Sequence, residues 1–377
     1  MAATDDLLAD IGALIRCESP SSDLAAVAAG ADAVSALGER LLGVAPERLV
    51  IDGRTHLRWR FGDPRVLLLG HQDTVWPIGT LARIPFSVDD GILRGPGCFD
   101  MKTGVVMALH AVAALDDRDG VSILVTGDEE LGSPSSQALI ESEAEGCEAV
   151  LVLEASGDGG ALKVARKGVS LYRMVVEGRA AHAGLEPEKG VNAAVEAAHL
   201  VVAVAQLGDA AEGTSVTPTV LGAGATTNTV PASAEFAVDV RARSAAEQER
   251  VDRAIRALRP TLPGAVVRVE GGVNRRPMER ESAAALFALA VRVADEAGLP
   301  PFDGIAVGGA SDGNFTAGIG VPTLDGLGAV GGGAHAEDEH VVVARIAERT
   351  ALVQHLVGAV LAGALRAETV SAGGAGR

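Results

Sequence analysis

Three short apolar runs constrain this chain more than any other feature: Val66-Leu-Leu-Leu69, Val121-Ser-Ile-Leu-Val125 and Val150-Leu-Val-Leu153. They are nearly continuous rather than alternating, and they are separated by stretches with helical spacing, Val105–Leu115 and Ser135–Ser142. Buried strands joined by helices predict a largely parallel sheet with helices on both faces, the α/β class. Each run is followed at once by histidine or carboxylate: His71 and Asp73, then Asp128-Glu129-Glu130, then Glu154. Parallel strands open their carboxyl ends on one edge of the sheet, so these groups are expected to converge there.

At 377 residues the chain exceeds the size at which one core keeps growing, which predicts two domains. Asp5–Arg16 and Ser22–Leu42 open the chain with helical spacing. The pattern changes near Lys167. Strands over Ser170–Glu177, Thr214–Leu221, Ala234–Arg241 and Val266–Glu270 alternate with helices over Gly190–Leu207 and Ala245–Arg259. That order is β-α-β-β-α-β, an α+β arrangement of its own. Residues 168–276 therefore form a small domain inserted into a larger one built from 1–167 and 277–377. Helices are expected again over Ala283–Gly298 and Val341–Ala362, with a Gly/Ala-rich, frayed tail after Thr369.

A formal charge of −18 argues against nucleic acid and anionic membrane as partners, because phosphate binding needs dense Lys and Arg. Cys17, Cys98 and Cys147 are far apart in sequence and suggest neither a disulfide framework nor a Cys-x-x-Cys site. The acidic start, Met1-Ala-Ala-Thr-Asp-Asp, is unlike a secretory signal, and no apolar run reaches transmembrane length. These features predict a cytoplasmic protein.

His71, Asp100, Glu130, Glu154 and His335 offer mixed nitrogen and oxygen ligands, the chemistry of zinc, with cobalt or manganese also suitable. The expected arrangement has Asp100 between two ions, His71 and Glu154 completing one site and Glu130 and His335 the other. Two divalent cations, three carboxylates and a bridging hydroxide sum to no net charge, so the cluster can occupy a partly desolvated cleft. Asp73, two residues after His71, is expected to accept from its imidazole and fix its tautomer. Singly, each group has an ordinary structural explanation: Asp100 could cap the helix starting near Thr103, and Asp128 the one after Glu130. Their coincidence at successive strand ends favours the metal site.

Gly70-His71-Gln-Asp73-Thr-Val75, Gly95-Pro-Gly-Cys-Phe-Asp100-Met-Lys-Thr-Gly104, Gly127-Asp-Glu129-Glu130-Leu-Gly132-Ser133 and Gly332-Gly-Ala-His335 together resemble the co-catalytic zinc exopeptidase superfamily. That group includes aminoacylase, acetylornithine deacetylase, succinyl-diaminopimelate desuccinylase and glutamate carboxypeptidase, and the resemblance is greatest to the last. It runs from about residue 60 to residue 345. It implies two Zn2+ per subunit, a cis peptide between Asp100 and Met101, and Glu129 as general acid/base. It further implies that His182 polarises the scissile carbonyl, often from a partner subunit, and that Asn228 and Arg241 hold a substrate carboxylate. Chemically, arginine can grip a carboxylate with two parallel bonds, and a neutral imidazole can donate to developing negative charge. Turn or ion-pair roles, Arg241 with Asp239 among them, are the competing readings. The glycine-rich loop Gly308–Asn314, with Gly309 and Ser311, could meet the carboxylate through backbone N–H groups.

The implied activity is metal-dependent hydrolysis of an N-acyl or peptidyl amino acid, as a carboxypeptidase or alternatively as a deacylase. A non-catalytic binder would have no need of Glu129. The inserted domain presents the helix Gly190–Leu207 and an exposed strand edge, which predicts a homodimer.

Overall fold

The computed structural model describes residues 4–366, and the Gly/Ala-rich stretch after Thr369 lies outside the described residues. The chain divides into two compact units. The first runs to Ala165 and resumes over Glu279–Val307 and from Ser311 onward. The second comprises Arg166–Met278 together with Gly308–Ala310.

In the first unit, α1 (Thr4–Arg16) and α2 (Leu24–Leu42) precede strands β1 (Glu47–Ile51), β2 (Arg54–Phe61) and β3 (Val66–His71). The α3 helix (Thr103–Ala113) leads to β4 (Val121–Thr126), and α4 (Gln137–Ala144) leads to β5 (Ala149–Val152). Sequence and caps set these helices. In α2 the Asp23 carboxylate accepts from Ala25 and Ala26 N–H at 3.0 Å, and Gly43 ends the helix at φ 74°. Its apolar face buries Val27, Ala31, Val34 and Leu37, positions three and four residues apart.

The sheet order is β1-β2-β4-β3-β5 and then the short strand Thr323–Leu324. β3 is parallel to both β4 and β5, and Thr323–Leu324 is parallel to β5, whereas β1 and β2 run antiparallel. The sheet is thus mixed: its parallel part is the one the apolar runs predict, and β1 and β2 add an antiparallel side. Every residue of β3, β4 and β5 is buried, which explains their unbroken hydrophobicity. Burying one such leucine stabilises the fold by about 1.5–3 kcal/mol. β1 and β2 escape sequence reading because they are charged and partly exposed. A second, four-stranded sheet over Ser87–Asp89, Ile92–Arg94, Gly331–Gly332 and His340–Val342 escapes it because its strands are only two or three residues long.

The second unit contains β6 (Gly168–Glu177), α5 (Ala193–Ala205), β7 (Ser215–Ala223), β8 (Ser233–Ala242), α6 (Ala245–Ala257) and β9 (Val266–Arg275). This is the β-α-β-β-α-β order read from the sequence. Its antiparallel sheet runs β7-β8-β6-β9, leaving β7 and β9 as edges. Asn192 and Ser244 cap the two helices through side-chain oxygens. Tyr172, Met174, Val176, Phe236, Val238 and Val240 alternate along their strands and pack with Leu200, Val204, Val251 and Ile255.

Among the described residues no helix is long and apolar enough to cross a membrane.

Candidate metal centre

The register of the large sheet assembles the site. His71, the last residue of β3, pairs with Thr126 at the end of β4, and Leu69 pairs with Val152 at the end of β5. The loops carrying Glu129, Glu130 and Glu154 therefore leave the sheet beside His71. Asp100 arrives from the turn Cys98–Lys102, whose backbone departs from helical values at Asp100 and Met101 and whose Asp100–Met101 peptide is cis. The following helix starts so close to β5 that a Cβ on Gly104 would lie 2.0 Å from the Leu153 carbonyl oxygen. Only glycine fits that approach. His335 is held at φ 61°, a left-handed conformation that non-glycine residues rarely adopt, just after Gly333 at φ 76°.

Asp100 faces two imidazoles with its two oxygens. Its Oδ1 lies 3.2 Å from His71 Nε2, and its Oδ2 lies 3.3 Å from His335 Nε2. Glu154 Oε1 stands 3.7 Å from His71 Nε2, and Glu130 Oε1 stands 3.2 Å from His335 Nε2. Ligand atoms of His71, Asp100 and Glu130 fall within 4.8 Å of one another, as do those of His71, Glu129 and Glu154. Glu129 thus borders the same cluster as the ligands.

The electrostatics follow from this crowding. Burial opposes charge on His71, but hydrogen bonds to Asp100 and Asp73 outweigh it and hold the pKa well above the ordinary value. Hydrogen bonds to Asp100 and Glu130 raise His335 to about 10 against the cost of desolvation. Burial pushes the Asp100 carboxyl upward, yet the two imidazoles pull it far below the usual carboxylate range. Such a cluster demands positive charge. Imidazole nitrogens and hard carboxylate oxygens, with one carboxylate shared between two positions, fit two ions of the zinc class.

A second layer of groups holds these side chains. His71 Nδ1 lies 3.0 Å from the backbone carbonyl of Asp73 and 3.4 Å from its Oδ1, so the main chain and the carboxylate expected from the sequence both face the imidazole. The Asp73 carboxylate also accepts from Glu129 N and Glu130 N, both at 3.3 Å, and from Ser21 Oγ at 2.6 Å. Asp128 accepts from Ser135 and Ser136, and buried His56 joins Gly127 N to Ser135 Oγ, bracing the loop that carries both glutamates. Burial, countered by Asp128, lowers the His56 pKa. Glu339 is a residue that motif reading missed. It is 1% exposed, and its carboxylate accepts from Gly97, Phe99 and Asp100 N–H and from the Trp76 indole. The available signal was an acid four residues beyond His335 in a glycine-rich turn.

The other expected site residues are distributed as follows. Ser311, in the first unit, is fully buried, and its hydroxyl donates to Asp325 at 2.6 Å. Its backbone N–H, the group expected to meet a substrate carboxylate, donates to Asn314 Oδ1 at 2.9 Å. Gly309 clusters with the second unit, not the first as expected, and its carbonyl accepts from Arg166. Within the second unit, His182 and Asn228 are brought together: His182 pairs with Thr229, and Ala183 N donates to the Asn228 carbonyl. His182 Nδ1 accepts from Gly184 N and Leu185 N, both at 3.1 Å, which places the proton of the neutral ring on Nε2 as an exposed donor. Arg241 forms two bonds to Asp239, at 2.8 and 2.9 Å. The ion pair foreseen as its structural role is therefore present.

Comparison with known proteins adds sequence and fold. The profile of peptidase family M20/M25/M40 matches residues 67–359. Carboxypeptidase G2 of Pseudomonas sp. is 34% identical over 309 residues, covering 78% of this chain and 74% of that protein. The succinyl-diaminopimelate desuccinylase of Methylorubrum populi is 28% identical, covering 90% of this chain and 94% of its own. Among solved structures, an M20 family metallo-carboxypeptidase from Sulfolobus solfataricus superposes with a TM-score of 0.72 at 15% identity, covering 93% of this chain and 98% of that one. Aminopeptidase PepT from Bacillus cereus superposes with a TM-score of 0.71 at 21% identity, covering 94% and 98% respectively.

Proposed function

This chain belongs to peptidase family M20/M25/M40, and from that premise we propose that it is a carboxypeptidase, cleaving the amide bond of an N-acyl or peptidyl amino acid with a free carboxylate. The coarser activity, metal-dependent amide hydrolysis, rests on one observation above the rest: Asp100 turns its two oxygens toward two different imidazoles. One shared carboxylate between two donor sets is the arrangement a pair of divalent ions requires. Zinc is the proposed metal, with His71, Asp100 and Glu154 holding one ion and Asp100, Glu130 and His335 the other. When bound, such ions supply Lewis acidity and lower the pKa of water.

The chain's own residues account for the proton traffic. Glu129 borders the cluster with its backbone tied to Asp73, and we assign it the proton taken from water and later delivered to the leaving nitrogen. His182 Nε2–H is assigned to the carbonyl oxygen as negative charge develops there. Asn228 and Arg241 are assigned to the substrate carboxylate, which at Arg241 must compete with Asp239. Glutamate is the proposed leaving residue, in keeping with the 34% identical carboxypeptidase. Deacylation of an N-acyl amino acid is the second reading, favoured by the desuccinylases that align over nine-tenths of the chain.

A homodimer is also proposed. Val195 and Val202 on α5 are exposed and, with Ala198, His199 and Ala203, line an open apolar groove of about 570 Å³. The edge strand β7 is likewise exposed along most of its length. A cytoplasmic setting is proposed from the free state of Cys17, Cys98 and Cys147. Assay of peptidyl glutamates, N-acyl glutamates and N-acetyl amino acids with zinc, cobalt or manganese tests the activity. Preferential release of a C-terminal amino acid from a peptide supports the carboxypeptidase, and preference for simple acyl groups overturns it in favour of the deacylase.

A further inference from the structure

The turn Gly97–Asp100 leaves several backbone N–H groups outside any regular helix, because φ and ψ at Asp100 (−118°, 97°) and Met101 (−133°, 33°) break the helical path. Buried N–H groups need acceptors, and convergent ones form an anion-binding concavity. Here the protein fills that concavity itself. Glu339 Oε1 accepts from Phe99 N at 2.8 Å and Asp100 N at 3.1 Å, while Oε2 accepts from Gly97 N at 2.9 Å and Trp76 Nε1 at 2.8 Å.

We infer that Glu339 is a positioning residue of the metal centre, a carboxylate that locks Asp100 into its shared orientation by stapling three ligand-bearing segments together. The three segments are those that follow His71, contain Asp100 and follow His335. This rests on the reading of the site as a two-ion centre. Both Glu339 oxygens are spent on N–H donors, two to each, so it acts through Asp100 rather than as a ligand. The same geometry predicts that glutamine will not replace it. An amide in either flip turns its NH2 toward two N–H donors, opening the turn that aims Asp100.

The test uses the full chain, stripped of metal by a chelator and titrated with Zn2+ or Co2+ against a competing indicator. Wild type is expected to take up two ions. Glu339→Gln is expected to bind them about 10- to 100-fold more weakly, the usual scale for groups that orient ligands, and to alter the visible absorption of bound Co2+. A Glu339→Gln protein with wild-type ion affinity and an unchanged Co2+ spectrum, even with a lowered melting temperature, overturns the inference. Wild type that binds no ion overturns the two-ion reading itself, and the inference with it. Should Glu339→Gln not fold, Trp76→Phe removes a single donor at the rim of the cluster. Weaker ion binding in that variant supports the staple, and unchanged affinity overturns it.

Discussion

His71 is 1% exposed at the end of a central strand, whereas His182 stands in solvent on a two-residue strand pairing of the second unit. The same side chain is fixed by different means in the two places. Around His71, several carboxylates must be held together against their mutual repulsion, so buried strand ends and N–H donors immobilise them. Around His182, two backbone N–H groups fix the tautomer locally and the ring remains open. Arginine–carboxylate pairs repeat the contrast. In the first unit, buried Glu143 receives Arg58, Arg60 and Ser122. In the second, Arg173 bridges Glu235 and Glu270 on the exposed sheet face. Groups that gather charge need a scaffold, while groups open to solvent need only a local turn.

The largest expected effect lies in the buried cluster. Glu129→Gln should retain both ions yet lower turnover by roughly 10²- to 10⁴-fold, the scale of a lost acid/base group. Near-normal turnover, with metal content verified, breaks the assignment. His182→Ala should lower turnover by about 10²-fold, as for a lost oxyanion donor, without altering ion affinity or melting temperature. If His182 is donated by a partner subunit, mixing Glu129→Gln with His182→Ala protein should restore part of the activity. Exchange of subunits without recovery places His182 in its own subunit or outside catalysis.

Glu143→Gln should destabilise the protein by about 1–3 kcal/mol in denaturant titrations, because it removes the buried carboxylate that Arg58, Arg60 and Ser122 share. Burial pushes the Glu143 carboxyl up, but Arg60, Ser122 and Arg58 outweigh it and leave its pKa below the ordinary value. A folded-state pKa lowered in this way stabilises above the unfolded value, and that stabilisation is lost as pH falls through the folded one. Wild type should therefore lose this increment below about pH 4.5, the ordinary range for glutamate, and the variant should lack it. An identical acid limb in the two proteins counts against Glu143 as its source. The smallest effect is expected at Glu235→Gln, whose partner is fully exposed. Its unfolding midpoint should match wild type, and a clear loss would mean that the exposed sheet face is covered in solution.

Much of this was legible along the chain because the relevant signals are local. Continuous apolar runs report strands buried on both faces, and a residue directly after such a run inherits its position from the strand. His71, Glu130 and Glu154 could be grouped for that reason, and Asp100 and His335 by the glycine-rich motifs around them. The small unit was legible from alternation, since the period of a half-buried strand is written in adjacent residues. What the sequence could not convey are the partners of polar groups. Glu339 meets N–H groups roughly 240 positions away, the Ser311 hydroxyl is consumed by Asp325, and Asp73 braces Glu129 and Glu130 besides facing His71. Burial of apolar residues is non-directional and leaves a periodic trace in the chain. A hydrogen bond requires a donor and an acceptor at one distance and angle, and only the folded backbone brings such distant atoms together.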